Sequence, residues 1–238
     1  DSHTCTYGAY GAFSTGMGAT DLAMVYATGK TWFMVPEAIK MEVSGELNSY
    51  TAPKDIILKI IGEVGIAGAT YKTAEFCGET IEKMGVEGRA TICNMAIEMG
   101  AKNRIMEPNK EVIQYVSQRT GKKESELNIV KSDEDAQYSE EMHFDITDME
   151  PQIACPNDVD NVKDISKVEG TAVDQCLIGS CTNGRLSDLK DAYEILKDNE
   201  INNDTRLLIL PASAEIYKQA IHEGYIDAFI NAGAIICN

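Results

Sequence analysis

Residues 173–237 restrict the possible folds more than any other stretch of the sequence. Residues 173–178 form a short, largely apolar run, and residues 186–197 then repeat apolar positions at helical spacing. Residues 207–210 form the next apolar run, stopped by Pro211. A second helical stretch, 212–223, is stopped by Gly224, and 234–237 is a third apolar run. Short apolar strands joined through single helices pair in parallel, because a tight hairpin cannot connect them and a crossover helix can. The fold class is therefore α/β: three-layer α/β/α units with mainly parallel sheets.

The upstream sequence follows the same logic less regularly. Ile39, Met41 and Val43 alternate with Lys40, Glu42 and Ser44, as in a half-buried strand. Pro53 suits a first helical turn, and Ile56, Ile57, Ile60, Ile61 and Val64 follow at helical spacing. A second helix is predicted over 89–99 and a third after Pro108, with His143 to Ile146 as a closing strand. Residues 1–36 are rich in glycine, with a short helix predicted over 21–28, N-capped by Thr20 and ended by Gly29. Residues 151–170 read as a connector. The expected division is 1–36 as the tail of a first α/β domain, 37–150 as a second, and 151–238 as the first part of a third. The missing initiator Met and the patterned 234–238 stretch lead us to expect cuts through a longer protein.

With 21 Lys and Arg against 38 Asp and Glu, the net charge is −17. Such a chain repels nucleic acid and anionic membrane surfaces. Few cations flank the motifs below, so those needed for an anionic substrate are expected from elsewhere. No apolar run approaches the roughly 20 residues needed to span a bilayer. The seven cysteines are odd in number, include no Cys-x-x-Cys pair and follow no secretion signal. Reduced thiols and a cytoplasmic location are expected.

Three stretches could carry chemistry. Cys181 follows the 173–178 strand in Gly179-Ser180-Cys181-Thr182-Asn183-Gly184. Ligands of open α/β sheets bind beyond the carboxyl ends of strands, and amides opening the next helix favour a thiolate. A buried packing thiol is the alternative. Asp1-Ser2-His3 precedes glycine-rich backbone and is either a site or a plain polar turn. Asn94 and Glu98 stand four apart on a helix with apolar neighbours. Glu98 is either a buried carboxylate needing a partner, for which His3 is a candidate, or an exposed one. His143 and His222 read as structural or solvated.

Taken together, these stretches resemble the aconitase superfamily. Asp-Ser-His followed by Thr-Cys-Thr-Tyr-Gly-Ala-Tyr-Gly-Ala-Phe is similar to the stretch near the end of that family's first domain. Ala-Thr-Ile-Cys-Asn-Met-Ala-Ile-Glu-Met-Gly-Ala resembles its second-domain active-site helix, and Gly-Ser-Cys-Thr-Asn-Gly the loop with its first cluster cysteine. Order and spacing also match. Gly-Ala-Thr-Asp with Gly-Lys-Thr-Trp resembles the isopropylmalate isomerase and homoaconitase branch, whose members have a separate small subunit. The resemblance implies an iron–sulfur domain fold and a hydro-lyase that moves the hydroxyl of a 2-hydroxy polycarboxylic acid by dehydration and rehydration. It implies a [4Fe–4S] cluster with Cys181 as one of three thiolate ligands, and a swivelling small subunit as partner. His3 and Glu98 would form a hydrogen-bonded pair for proton transfer, Asp1 would act near the iron-bound water, Ser2 near substrate, and Asn94 beside the cluster.

The sequence departs from that family at several places of consequence, the first-domain histidines and the small-subunit base serine being absent among others. The other two cluster cysteines belong to a Pro-Gly-Cys-Gly-Pro-Cys loop, and here the residues end at Cys237-Asn238 where that loop would begin. Cys237 resembles the residue before the loop. The family's substrate-binding arginines downstream of the loop are absent as well. The expectation is that this chain alone holds no intact cluster and has no activity. Competing readings are a thiol enzyme with Cys181 as nucleophile, which needs a nearby His, and a non-catalytic scaffold.

Overall fold

A computed structural model describes residues 1–237. They cluster into two compact units, the first Asp1–Val168 and the second beginning at Glu169. No helix among the described residues is long and apolar enough to cross a membrane.

The first unit contains α1 (Ala19–Thr28), β1 (Ala38–Ser44), α2 (Pro53–Val64), β2 (Thr73–Cys77), α3 (Glu79–Lys83), α4 (Val86–Met95), β3 (Asn103–Met106), α5 (Lys110–Thr120), β4 (Glu140–Asp145), β5 (Gln152–Ala154) and β6 (Val162–Asp164). Strands β3-β2-β1-β4 form a four-stranded, all-parallel sheet in that order. In β1 the alternation works as expected: Ile39, Met41 and Val43 are fully buried. Helix α2 begins on Pro53, with the Asp55 carboxylate accepting from the Ala52 amide at 2.7 Å. It buries Ile56, Ile57, Ile60 and Ile61 in the same core, each contributing about 2–3 kcal/mol of apolar burial.

Several details differ from the sequence-based expectation. Helix α1 starts from Gly18, with no side-chain cap, and Thr20 lies inside it. Helix α4 starts at Val86 rather than 89 and ends at Met95, where the backbone tightens into a 3₁₀ segment, Ala96–Met99. The 151–168 connector packs with the first unit. There β5 and β6 pair antiparallel against α2, the Gln152 amide donates to Asp55 Oδ1 at 2.7 Å, and Val162 packs on Gly62. Residues 1–10, assigned above to another domain, form a 3₁₀ segment (Ser2–Tyr10) that packs on α4 and β3 and contributes Ala9 to the core.

The second unit contains β7 (Gln175–Gly179), α6 (Ser180–Asn183), α7 (Leu186–Leu196), β8 (Arg206–Leu210), α8 (Ala214–His222), α9 (Tyr225–Asn231) and β9 (Ile235–Ile236). Its sheet is parallel in the order β7-β8-β9. Leu189, Ile209 and Phe229 are fully buried and form its centre. Helix α9, which supplies Phe229, was not expected from the sequence.

Candidate functional site

In the first unit the polar residues gather where the Ser2–Tyr10 segment meets α4 and β3. Asp1 caps the segment: its Oδ1 accepts from the His3 amide at 2.9 Å. The half-buried His3 has its Nδ1 3.2 Å from Ser2 Oγ. Thr6 Oγ1 donates to the His3 carbonyl at 2.7 Å, and Asn94 Nδ2 donates to Thr6 Oγ1 at 2.9 Å. Asn94, 2% exposed, thereby ties α4 to the turn that carries His3.

Glu98 falls in the Ala96–Met99 segment and is exposed. Asn94, in α4, is buried, and Glu98, in the 3₁₀ segment that follows, is not. Among the described residues no hydrogen bond or ion pair joins His3 to Glu98. The structure therefore gathers Asp1, Ser2, His3 and Asn94 by a chain of short contacts and leaves Glu98 on the surface.

The sequence reading passed over the cations of this region. A cavity of about 410 Å³ is lined by Ser2, Thr15, Tyr71, Ile97, Lys102 and Arg104, among others. Arg104 is the second residue of β3 and is 1% exposed. Burial pulls its pKa below the usual arginine value, with the neighbouring Cys5, Cys93 and Glu98 opposing the shift; the guanidinium stays charged. Among the described residues its Nε and Nη2 have no hydrogen-bond partner. Next to it, Asn103 Oδ1 accepts from the Ser14 amide at 3.0 Å, while Asn103 Nδ2 and Ser14 Oγ are unpartnered. Cations thus lie beside Ser2 and need not all come from elsewhere. The available signal was Lys102 followed by Asn103-Arg104 opening a strand that continues Ile105-Met106: two polar residues at positions that are buried.

In the second unit, Cys181 is exposed on α6, directly after β7. Its loop lies tight against the end of β8. A Cβ on Gly179, at φ +141°, would come 2.1 Å from the Leu210 carbonyl oxygen, so no other residue fits there. The Ala212 amide donates to the Gly184 carbonyl at 2.8 Å. Arg185 Nη2 donates to the Cys181 carbonyl at 3.0 Å, and Asp188 accepts from Asn183 Nδ2 at 3.0 Å and from the Arg185 amide at 2.9 Å. The thiol is held outward by bonds to its backbone, with Thr182 Oγ1 at 3.9 Å.

Among the described residues no group of three or more His, Cys, Asp or Glu side chains could hold a metal ion. One exposed cysteine does not fit a cubane that requires three thiolate ligands. All seven cysteines are thiols, and Cys5 and Cys93 are buried.

In the parallel second unit the thiol of Cys181 lies directly after the first strand, at the end of the sheet where open α/β folds commonly bind ligands. The family is settled by sequence comparison. The model of the aconitase family (aconitate hydratase) matches residues 1–170 and 161–238. A probable methanogen homoaconitase large subunit of Methanothermobacter thermautotrophicus is 60% identical over 238 residues, covering 100% of this chain and 55% of that protein. A probable 3-isopropylmalate dehydratase large subunit of the same organism is 52% identical over 238 residues, 100% of this chain and 56% of the relative. The 3-isopropylmalate dehydratase large subunit 1 of Archaeoglobus fulgidus is 52% identical over 236 residues, 99% of this chain and 56% of the relative. The chain belongs to the aconitase family, and it spans little more than half the length of these relatives.

Proposed function

We propose that this chain is part of the large subunit of a hydro-lyase that isomerises a 2-hydroxy polycarboxylic acid by dehydration and rehydration, namely a 3-isopropylmalate dehydratase of leucine biosynthesis. The observation that carries the reading is the identity of 52% with named 3-isopropylmalate dehydratase large subunits over essentially the whole chain. A second reading, homoaconitase, is favoured by the 60% identity to the methanogen homoaconitase large subunit.

In this reading the complete protein carries a [4Fe–4S] cluster and Cys181 is one of its three ligands. The residues present supply only that one thiolate, so no step is derived through the cluster. Ser2 Oγ against Nδ1 fixes the ring of His3 and leaves Nε2 to hold or release a proton. Asp1 sets the ring's height by capping the turn, and Asn94 holds that turn through Thr6. Ser2 lines the cavity and would face the substrate. Glu98 would join His3 in proton transfer once substrate is bound, as catalytic hydrogen bonds tighten in the reacting complex. The name "large subunit" carried by the relatives supports a small subunit as partner. The seven thiols suit the cytoplasm.

The test is the complete large subunit, reconstituted anaerobically with iron and sulfide, mixed with its small subunit and offered a panel of 2-hydroxy di- and tricarboxylates. Turnover of 3-isopropylmalate is the expected result, and turnover confined to homocitrate selects the second reading. A cluster-loaded complex that turns over none of the panel overturns both. The 238-residue chain alone should show no stoichiometric cluster absorbance.

A further inference from the structure

The fold contains two arginines buried to the same degree and treats them in opposite ways. Arg89, 1% exposed, donates from Nε to the Met84 carbonyl at 3.1 Å, from Nη1 to Glu107 O at 2.9 Å and from Nη2 to Ile81 O at 2.9 Å. Arg104, also 1% exposed, leaves Nε and Nη2 without a partner. The Cys5 thiol interacts with this guanidinium, but a buried cation with two unsatisfied donors is still disfavoured unless something else satisfies them.

The two orphaned nitrogens are not a random pair. Nε–H and Nη2–H lie side by side on one edge of the guanidinium and point the same way, at the spacing of the two oxygens of a carboxylate. Arg104 lines the cavity of about 410 Å³ that also contains Ser2 and Lys102. The Lys102 ammonium stands 5.6 Å from the Tyr71 ring centre and 5.7 Å from that of Phe33, contacts that restrict where its charge can sit. No Asp or Glu is among the lining residues, although the whole chain carries a net charge of −17. Glu98 acts on Arg104 electrostatically from nearby but forms no ion pair with it. Two cations without a carboxylate in one cavity define a place for an anion.

We propose that Arg104, Lys102 and Ser2 form a carboxylate-binding subsite. The Nε–Nη2 edge of Arg104 takes one carboxylate in a two-point contact, Lys102 adds a second positive charge, and the Ser2 hydroxyl donates to the same or an adjacent oxygen. The ligand class is a small di- or tricarboxylate. That this anion is the substrate rests on the function proposed above; that the cavity binds a carboxylate does not.

The test uses the complete large subunit and tricarballylate, a tricarboxylate with no hydroxyl to eliminate, measured by titration calorimetry. Arg104→Met should weaken binding at least 10-fold. Arg104→Lys, which keeps the charge and loses the fork, should recover only part of it, and Lys102→Met should cost about 3-fold. Arg104→Lys guards against misfolding of the Met variant. In the assembled enzyme the same Arg104 changes should raise KM more than they lower kcat. Unchanged affinity in both Arg104 variants, or no binding by the wild type, overturns the subsite. If the variants lose tricarballylate but the loaded complex turns over no 2-hydroxy acid, the subsite stands and the hydro-lyase reading falls. If turnover is normal and KM and affinity ignore Arg104, the reverse holds.

Discussion

Replacing each buried arginine by methionine, of similar length and no charge, should separate structure from function. In Arg89→Met three carbonyls lose a donor. The Ile81 carbonyl keeps the Met84 amide at 3.2 Å, and the Met84 carbonyl keeps Asn109 Nδ2 at 3.0 Å. The Glu107 carbonyl retains no other partner among the described residues. One orphaned acceptor costs about 1–3 kcal/mol, and two further charge-assisted bonds add about 1.5 kcal/mol or more each. Relief of the buried charge offsets part of this, so the net loss should be about 3 kcal/mol. In Arg104→Met the edge being removed made no hydrogen bond, and the burial of its charge is relieved, so the change should lie within about 1 kcal/mol of zero or favour folding. Amide hydrogen exchange in β1 and α2 reads the first unit alone. Protection there should fall on the order of 100-fold in Arg89→Met and hold or rise in Arg104→Met. Equal losses in the two variants would refute the reasoning, because Arg104 would then be a structural cation.

The remaining expectations rest on other parts of the fold. Gly179→Ala puts a methyl 2.1 Å from the Leu210 carbonyl oxygen; it should cost about 2 kcal/mol or more through strain and displace the Cys181 loop, read as a changed rate of Cys181 alkylation. Asn94→Leu removes the donor to Thr6 Oγ1 and should cost about 1–3 kcal/mol with a shift in the His3 ring resonances by NMR. Burial pushes the Cys93 thiol up to about 12 from an ordinary 9.0. Below pH 9 both folded and unfolded chains hold that proton and the stability is intact; from 9 to 12 only the unfolded thiol ionises. Stability should therefore fall by about 1.4 kcal/mol per pH unit from this group, and Cys93→Ala should remove that share of the slope in urea titrations. Cys5, raised by the same cause, acts in the same direction.

What the sequence made legible was periodic. Ile39-Met41-Val43 could be read as a strand because one face of β1 is buried and the other carries Lys40 and Glu42. Helices α2 and α7 were readable because their apolar residues form single stripes. Strands β2 and β3 were not, having five and four residues; β3 opens with two polar side chains, Asn103 and Arg104. Helix α9 is seven residues directly after Gly224, too short for its period to stand out from the preceding helix. Cys181 could be located after a strand from spacing, and its exposure separates it from the buried Cys5 and Cys93. Glu98 could be read only as either buried or exposed, and it is exposed, in a segment that winds as 3₁₀ after α4 ends. Arg104 was missed because periodicity marks which residues enter a core and is silent on whether a polar one finds partners there.

The places where local rules break follow a pattern of their own. Among the described residues two non-glycine residues have positive φ, Tyr71 at 58° and Ser180 at 70°. A left-handed conformation costs such residues about 1 kcal/mol or more, and it persists where the surroundings demand it. Tyr71 lines the cavity of Arg104 and stands under the Lys102 ammonium. Ser180 is the residue before Cys181, at the mouth of β7. A buried guanidinium with two unsatisfied nitrogens and a strained tyrosine in one unit, and a strained serine beside an exposed thiol in the other, are unfavourable for folding as isolated features. Local preference and global fold agree over most of both units, so the two non-glycine positive-φ positions, one beside each cluster of candidate residues, are where a binding role is best sought. On this argument Tyr71→Gly should stabilise the first unit while weakening tricarballylate binding through the freed Lys102. A variant that gained stability and kept full affinity would break the link between the strain and the site.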